Sequence, residues 1–392
     1  PWVTPTDMTA CKTNYLFDTA NRITKSGLHS CSAKLLPAGS ILFTSRATVG
    51  VSRIAGIPVC TNQGFKSLTP SAETDGKFLY YQVQRLRGAF ERYAAGSTFP
   101  EINKKDTARV LIPHPTDVRV QQKIATILST IDTAIEQTEA LIEKYQHIKA
   151  GLMHDLFTRG VLPNGQLRPP REQAPELYQE TAIGWIPREW EVSGLASKGR
   201  AGTSWIRTGP FGSSLKGEHW RIDGHPVITI GALGIGEFID SELLFVGSKD
   251  ASRLIDFQLK ENDVVFSRVA DVGRSVVVRE AQAGWIMSSN LMRIAVNETR
   301  LRPDYLQMQL ASDSRIKSQI RASVNSGGRD VANSEVLNRL RFALPRPDEQ
   351  DRIIGMANRL TQRMNAEMHR VAKLQAQKLG LMQDLLTGKV PV

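Results

Sequence analysis

Cysteine is scarce: Cys11, Cys31 and Cys60 are the only three in 392 residues, and no Cys-x-x-Cys pair occurs. An odd, widely spaced set suggests neither a disulfide framework nor a structural zinc site. It fits a reducing compartment, so a cytoplasmic location is expected. No apolar run approaches the roughly 20 residues of a membrane span, no signal peptide is visible, and no membrane partner is expected. Catalytic signatures are missing as well. There is no Walker A loop and no Gly-x-Ser-x-Gly elbow. Gly231, Gly234 and Gly236 do not make a dinucleotide fingerprint, and no Asn-Pro-Pro-aromatic segment of the amino-methyltransferase kind appears. Pro347-Asp348 lacks the Glu-x-Lys that would complete a nuclease motif; it opens a helix, where Asp suits the N-terminal dipole. The seven His residues show no metal-ligand spacing. The expectation is a binding protein with no catalytic residues, metal or cofactor of its own.

What is present is positive charge and repetition. Lys and Arg number 50 against 39 Asp and Glu, a net +11, which favours a polyanionic partner, nucleic acid before membrane. The length is that of two to four domains. Leu152-Met153-His154-Asp155-Leu156-Phe157-Thr158 reappears as Leu381-Met382-Gln383-Asp384-Leu385-Leu386-Thr387, in one ungapped register that reaches back to Gln121 and Gln350. Repeats of this kind decide the fold and are sought first.

Both repeated segments read as long heptad helices. The seam of the first is Ile124, Leu128, Ile131, Ile135, Ile142, Tyr145, Leu152 and Leu156; that of the second is Ile353, Ala357, Leu360, Met364, Val371, Leu374, Leu381 and Leu385. The polar interruptions match too, Thr138 and Lys149 against Glu367 and Lys378; such residues cost stability and fix register. About 39 residues at 1.5 Å each make a rod of roughly 58 Å. If each globular part enters its helix the same way, pairing within the chain is antiparallel.

The globular parts repeat more faintly. Ile41-Leu42-Phe43-Thr44 aligns with Val264-Val265-Phe266-Ser267, Gly50 with Gly273, Thr61-Asn62 with Ser289-Asn290, Gly96 with Gly328, and Ile112-Pro113-His114-Pro115 with Leu344-Pro345-Arg346-Pro347. Strands are expected at Ser40–Phe43 and Arg109–Pro113, and a helix from about Lys77 to Tyr93. The expected fold class is α+β: two mixed domains at 1–118 and 185–347, long helices at 119–160 and 348–392, and a Pro-rich linker at 161–184. Pro1-Trp2-Val3-Thr4 aligns best with Pro226-Val227-Ile228-Thr229, and the chain does not begin with Met. A segment equivalent to about Trp185–His225 is therefore expected to be missing from the start of the first copy.

Two stretches are basic at the same place in each copy: Arg85, Arg87, Arg92, Lys104, Lys105 and Arg109, and Arg315, Lys317, Arg321, Arg329, Arg339 and Arg341. Each holds a Gly-Ser turn, which lets backbone amides approach a phosphate; Ser97 and Thr98 in one, Ser326, Gly327, Gly328 and Arg329 in the other are candidate DNA contacts. Ser45, Arg46, Ser267, Arg268 and Arg274 lie on loops past the strand ends. Arg can bridge guanine, and Asn62 or Asn290 can bridge adenine, although a plain turn or surface role is as good a reading for each. The Gly209-Pro210-Phe211-Gly212-Ser213-Ser214-Leu215-Lys216 loop, with Arg207 before it, adds Ser213, Ser214 and Lys216 as phosphate candidates.

The run Ile-Pro-x-Pro, a Gln-rich turn, a heptad helix and Gly-Leu-Met-x-Asp-Leu-x-Thr (Gly151–Thr158, Gly380–Thr387) resembles the specificity subunit of type I restriction–modification systems, the HsdS family. The Gly-Pro-Phe-Gly-Ser loop and Ile102-Asn103-Lys104-Lys105 are similar to segments of that family's target recognition domains. The resemblance implies two such domains, each reading half of a bipartite duplex site, on an antiparallel coiled coil. It implies two modification subunits that use S-adenosylmethionine, restriction or translocase subunits that use ATP and Mg, and no cofactor on this chain. Competing readings are the specificity partner of a fused restriction–methylation enzyme and a coiled-coil scaffold whose charge is incidental.

Overall fold

The computed structural model describes residues 1–46, 48–96, 100–269, 272–323 and 331–392. The chain divides into two compact units, Pro1–Glu143 with Asn365–Val392, and Lys144–Met364. Each unit therefore contains part of both long helices, Val118–Thr158 and Pro347–Leu386.

In the first unit, the start of the first long helix lies against the end of the second. Ile124, Ala125 and Leu128 share a core with Met382, Leu385 and Leu386, and with Ile41, Phe43, Phe78, Phe90 and Ile102 of the globular part. Further along, Lys378 Nζ reaches Asp132 Oδ1 at 2.6 Å, so the two segments run antiparallel. In the second unit the roles exchange. Met153, Leu156 and Phe157 near the end of the first helix pack with Ile353 and Ala357 near the start of the second, around Val264, Phe266, Tyr305 and Phe342. Seam positions Ile131, Ile135, Ile142, Tyr145, Leu152, Leu360, Met364, Val371, Leu374 and Leu381 are half-buried. Among the polar interruptions, Thr138 is buried and Lys378 is paired; Lys149 is half-buried.

The globular parts are two versions of one scaffold. In the first, Ile41–Phe43 pairs antiparallel with Ser52–Ala55 (Ile41↔Ile54, Phe43↔Ser52); in the second, Val264–Ser267 pairs with Ser275–Val277 (Val264↔Val277, Phe266↔Ser275). The turn between them needs positive φ at one residue, and both copies place glycine there, Gly50 at 92° and Gly273 at 106°. Trp2–Val3 pairs in parallel with Cys60–Thr61 as His225–Ile228 does with Ile286–Met287. Short helices capped by Asn103 and Asn333, whose side chains accept from the Asp106 and Val336 amides, follow in each.

The clearest shared device is the glutamine on the first turn of each long helix. Gln121 is fully buried; its Oε1 accepts from Asp75 N at 2.9 Å and its Nε2 donates to Pro115 O at 2.8 Å and Glu73 O at 3.2 Å. Gln350 repeats this with Arg302 N at 2.7 Å, Pro345 O at 2.9 Å and Arg300 O at 3.1 Å. A buried primary amide with partners on both oxygen and nitrogen is stable where an unpaired one is costly. Each amide joins the long helix to the start of a domain helix and to the segment that precedes the long helix.

Two expectations from the sequence need correction. Lys77–Tyr93 is two helices, Gly76–Arg85 and Arg87–Tyr93, separated at Leu86. Arg109–Pro113 is not a strand, whereas its counterpart Phe342–Leu344 is. The reason is pairing: Phe342–Leu344 lies antiparallel to Glu191–Ser193, whereas among the described residues no strand lies beside 109–113. Residues 161–190 carry a hairpin, Tyr178–Thr181 with Gly184–Pro187, and a buried charge. Arg168 is 3% exposed and makes two hydrogen bonds to Glu349, one to Oε2 at 3.0 Å. Glu349 also accepts from Trp190 Nε1 and Val161 N.

Candidate nucleic-acid interface

In each unit the hairpin turn, the segment after the parallel strand pair and the capped short helix converge on one loop surface. Backbone bonds fix the correspondence. Ser45 N donates to Gly64 O at 2.7 Å and Ile102 N to Ser45 O at 3.0 Å; Arg268 N donates to Asn290 O at 3.1 Å and Ala332 N to Arg268 O at 2.7 Å. Isolated bridges Arg46↔Glu101 and Val269↔Val331 continue the match. Asn62 N donates to Val3 O as Ser288 N does to Ile228 O.

This correspondence keeps the hairpin alignment read from sequence and revises the one at Asn62. Arg268 stands where the first unit has Ser45, and Arg46 where the second has Val269. Asn290 stands where the first has Gly64, and Asn62 where the second has Ser288. Matching Asn62 to Asn290 by residue type displaced that segment by two positions. Successive extended residues face opposite ways, so Arg46 and Arg268 point to different sides of equivalent backbones.

The side chains divide into those open to solvent and those that support them. Asn290, Lys104, Lys105, Lys216 and Arg46 are exposed. Arg46 is held by Glu101, Nε to Oε2 at 2.8 Å. That hydrogen bond and charge keep the Glu101 carboxyl below the usual range. Asn62 Oδ1 accepts from Gly64 N at 3.0 Å, so this amide already closes its own turn. Ser45 and Ser267 are fully buried; as proposed DNA contacts they are corrected to supports, since a buried hydroxyl cannot meet a duplex. Ser45 Oγ accepts from Lys66 Nζ at 3.3 Å. Arg268 Nε donates to Ala332 O at 3.3 Å and Arg274 Nη1 to Leu233 O at 2.9 Å, and both side chains are half-buried. Arg207 pairs with Asp256 at 3.1 Å and lies over the Phe257 ring at 4.9 Å. Ser214 O accepts from Arg253 Nη2 at 2.8 Å. Ser97, Thr98, Ser326, Gly327, Gly328 and Arg329 lie outside the described residues, as does the side chain of Ser213.

The two basic stretches are less free than their composition suggests. Arg87 pairs with Glu91, Arg109 with Asp106, Arg339 with Glu335 and Arg315 with Asp313. Arg92, Lys317 and Arg321 are exposed. Glu101 and Lys66, which hold Arg46 and Ser45, were missed in the sequence; neither belongs to a motif. Among the described residues no cluster of three His, Cys, Asp or Glu side chains is placed to hold a metal, and no helix is long and apolar enough to cross a membrane.

Two variants of one scaffold, each packed on segments of both long helices and each presenting a polar loop surface, define a twofold-repeated α+β architecture. Residues 1–145 match the family model described as the type I restriction modification DNA specificity domain. The chain is 32% identical over 197 residues to the type I restriction enzyme MjaIX specificity subunit of Methanocaldococcus jannaschii, covering 50% of this chain and 44% of that protein. It is 24% identical over 325 residues to the MjaVIII specificity subunit of the same organism, covering 81% of this chain and 71% of that one. The first of these matches thus spans less than half of the relative's length. A crystal structure of a type I system S subunit from M. genitalium has the same fold, with TM-score 0.56 and 17% identity over 95% of this chain and 88% of that one. Residues 1–145 are thus similar to the DNA specificity domain of type I restriction–modification systems.

Proposed function

We propose that this chain is the non-catalytic DNA-recognition subunit of a type I restriction–modification complex. Each globular domain reads one half of a bipartite duplex site; the long helices set the spacing between halves and dock two modification subunits. Those partners bring S-adenosylmethionine, and restriction or translocase subunits bring ATP and Mg. Base flipping belongs to the modification subunits, because a methyltransferase cannot reach its target atom inside the stack.

One observation carries this reading. The loop surfaces share a backbone, bond for bond, yet Arg268, Asn290 and Arg46 stand opposite Ser45, Gly64 and Val269. A scaffold kept constant while polar side chains change places suits two readers of two different sequences. The supporting physics is the +11 charge, which attracts a polyanion whatever its sequence.

The test is a domain exchange read by methylome sequencing. Replacing residues 185–347 with the matching domain of another specificity subunit, in a cell carrying the whole system, changes one half-site and leaves the other. Change in both halves would break the modular reading. Duplex affinity of the assembled complex that barely responds to salt would remove the phosphate contacts from it.

A further inference from the structure

The second unit presents a nearly fully exposed aromatic ring on a loop braced to hold it out. Phe211 is 87% exposed. A lone exposed apolar residue needs no explanation on a mobile loop, but this loop is braced on both sides. Before it, Gly209 N donates to Leu291 O at 2.9 Å, and a Cβ at Gly209 would overlap the Ser288 carbonyl, so backbone rests on backbone. Pro210 is buried and has a fixed φ. After it, Ser214 N donates back to Phe211 O at 2.8 Å, and Arg253 holds the Ser214 carbonyl. The ring therefore leaves the surface from a supported point.

Its neighbourhood is the loop surface already described. Thr208, three residues earlier, pairs with Met292, and Gly209 is bonded beside Asn290, whose side chain is exposed. Lys216 is exposed a turn further on. An apolar ring on a loop that also carries an exposed ammonium, and that is bonded beside a residue with an exposed amide, suits a partner that offers flat aromatic faces and an anionic backbone. A duplex does so when a side chain enters a base step and partly unstacks it.

We propose that Phe211 is a wedge that enters a base step of the bound duplex within the half-site read by the second unit. This rests on the DNA-recognition reading above. The wedge spends contact energy on unstacking and returns it as ring–base stacking, so it acts on one half-site and leaves the other stacked.

The experiment uses the full chain assembled with its modification subunits, and a duplex carrying the methylated site found by methylome sequencing. 2-Aminopurine is placed in turn at each step of both half-sites. Wild type raises 2-aminopurine emission at one step in the second unit's half-site only. Phe211→Ala abolishes that signal and weakens binding about ten-fold, the scale of one lost base–aromatic stack; Phe211→Trp restores both. The salt dependence stays unchanged, because no phosphate contact is lost. If wild type binds the site and Phe211→Ala leaves emission and affinity unaltered, the wedge is refuted while DNA recognition stands. If Phe211→Ala instead prevents assembly with the modification subunits, the ring is a protein anchor and the wedge is equally refuted. If wild type does not bind the duplex at all, the recognition reading itself fails.

Discussion

Asp132 of the first long helix and Thr361 of the second occupy the same place in the repeated register, and the two units differ most in what those places do. In the first unit Asp132 takes hydrogen bonds from Tyr81 Oη and Asn14 Nδ2, both at 2.6 Å, and the ion pair from Lys378. Burial and the neighbouring carboxylate push the Tyr81 phenol far above its ordinary pKa, so it remains a donor. In the second unit Thr361 only donates to Ala357 O of its own helix, and the buried charge sits at the helix start as Arg168 with Glu349. The counterpart of Glu349 in the first unit is Val120, which packs on the apolar core. One repeated helix is thus fastened by two different polar locks. The lesson is that register survives divergence more easily than the partners of charged residues do.

Four measurements break or sharpen this contrast. Glu349→Ala leaves the buried Arg168 with only the exposed Glu189 carboxylate as counter-charge and costs about 3 kcal/mol; Val120→Ala in the equivalent place costs about 1 kcal/mol. Denaturant unfolding with hydrogen exchange assigns each loss to its unit, and equal losses would end the comparison. Asp132→Ala strips a buried phenol and a half-buried ammonium of their acceptor and costs about 3 kcal/mol, whereas Thr361→Ala stays within about 0.5 kcal/mol. Gln121→Ala and Gln350→Ala should by contrast match, each losing about 2 kcal/mol, because the two amides have the same set of partners. Unequal values would show that the domains are joined to their helices differently.

The smallest effect concerns recognition. Glu101→Gln removes the carboxylate that engages Arg46 without a detectable change in stability, because that pair is exposed. Duplex affinity of the assembled complex rises a few-fold, and the slope of log affinity against log salt steepens by about 0.9 if Arg46 then meets a phosphate. The pH dependence has the same origin. The Glu101 carboxyl is held low by Arg46, so the pair persists above the ordinary carboxylate range and is lost as pH falls through that lowered value. Wild type should approach the Glu101→Gln behaviour only in acid. The corresponding position in the second unit is Val331, opposite Val269, and should show no such response.

Much of the scaffold was legible because its signals are local. The heptad spacing of Ile124 to Leu156 and of Ile353 to Leu385 needs only the helical period. Gly50 and Gly273 mark the same turn because only glycine enters that φ region freely. The strand at Arg109–Pro113 misled for the opposite reason: a run of β-branched residues becomes a strand only beside another strand, and Glu191–Ser193 serves only the second copy. Arg46, Asn290 and Lys104 are exposed on the loops that the sequence singled out, yet the correspondence between those loops was misread. Matching like residues joined Asn62 to Asn290, while backbone pairing joins Asn290 to Gly64. A Pro-rich composition between 161 and 184 gave no sign that Arg168 is buried, since burial depends on Glu349 and Trp190, both far along the chain.

By itself the sequence determined the repeat, the two long helices, the polar places in their seam and the positions of the hairpin turns. These follow from periodicity and from the conformational limits of single residues. Only the tertiary structure decided which acid meets which base, which serines are buried, and that Phe211 is braced outward by Gly209 against Ser288. Those outcomes depend on distances between residues remote in sequence, which no local pattern records.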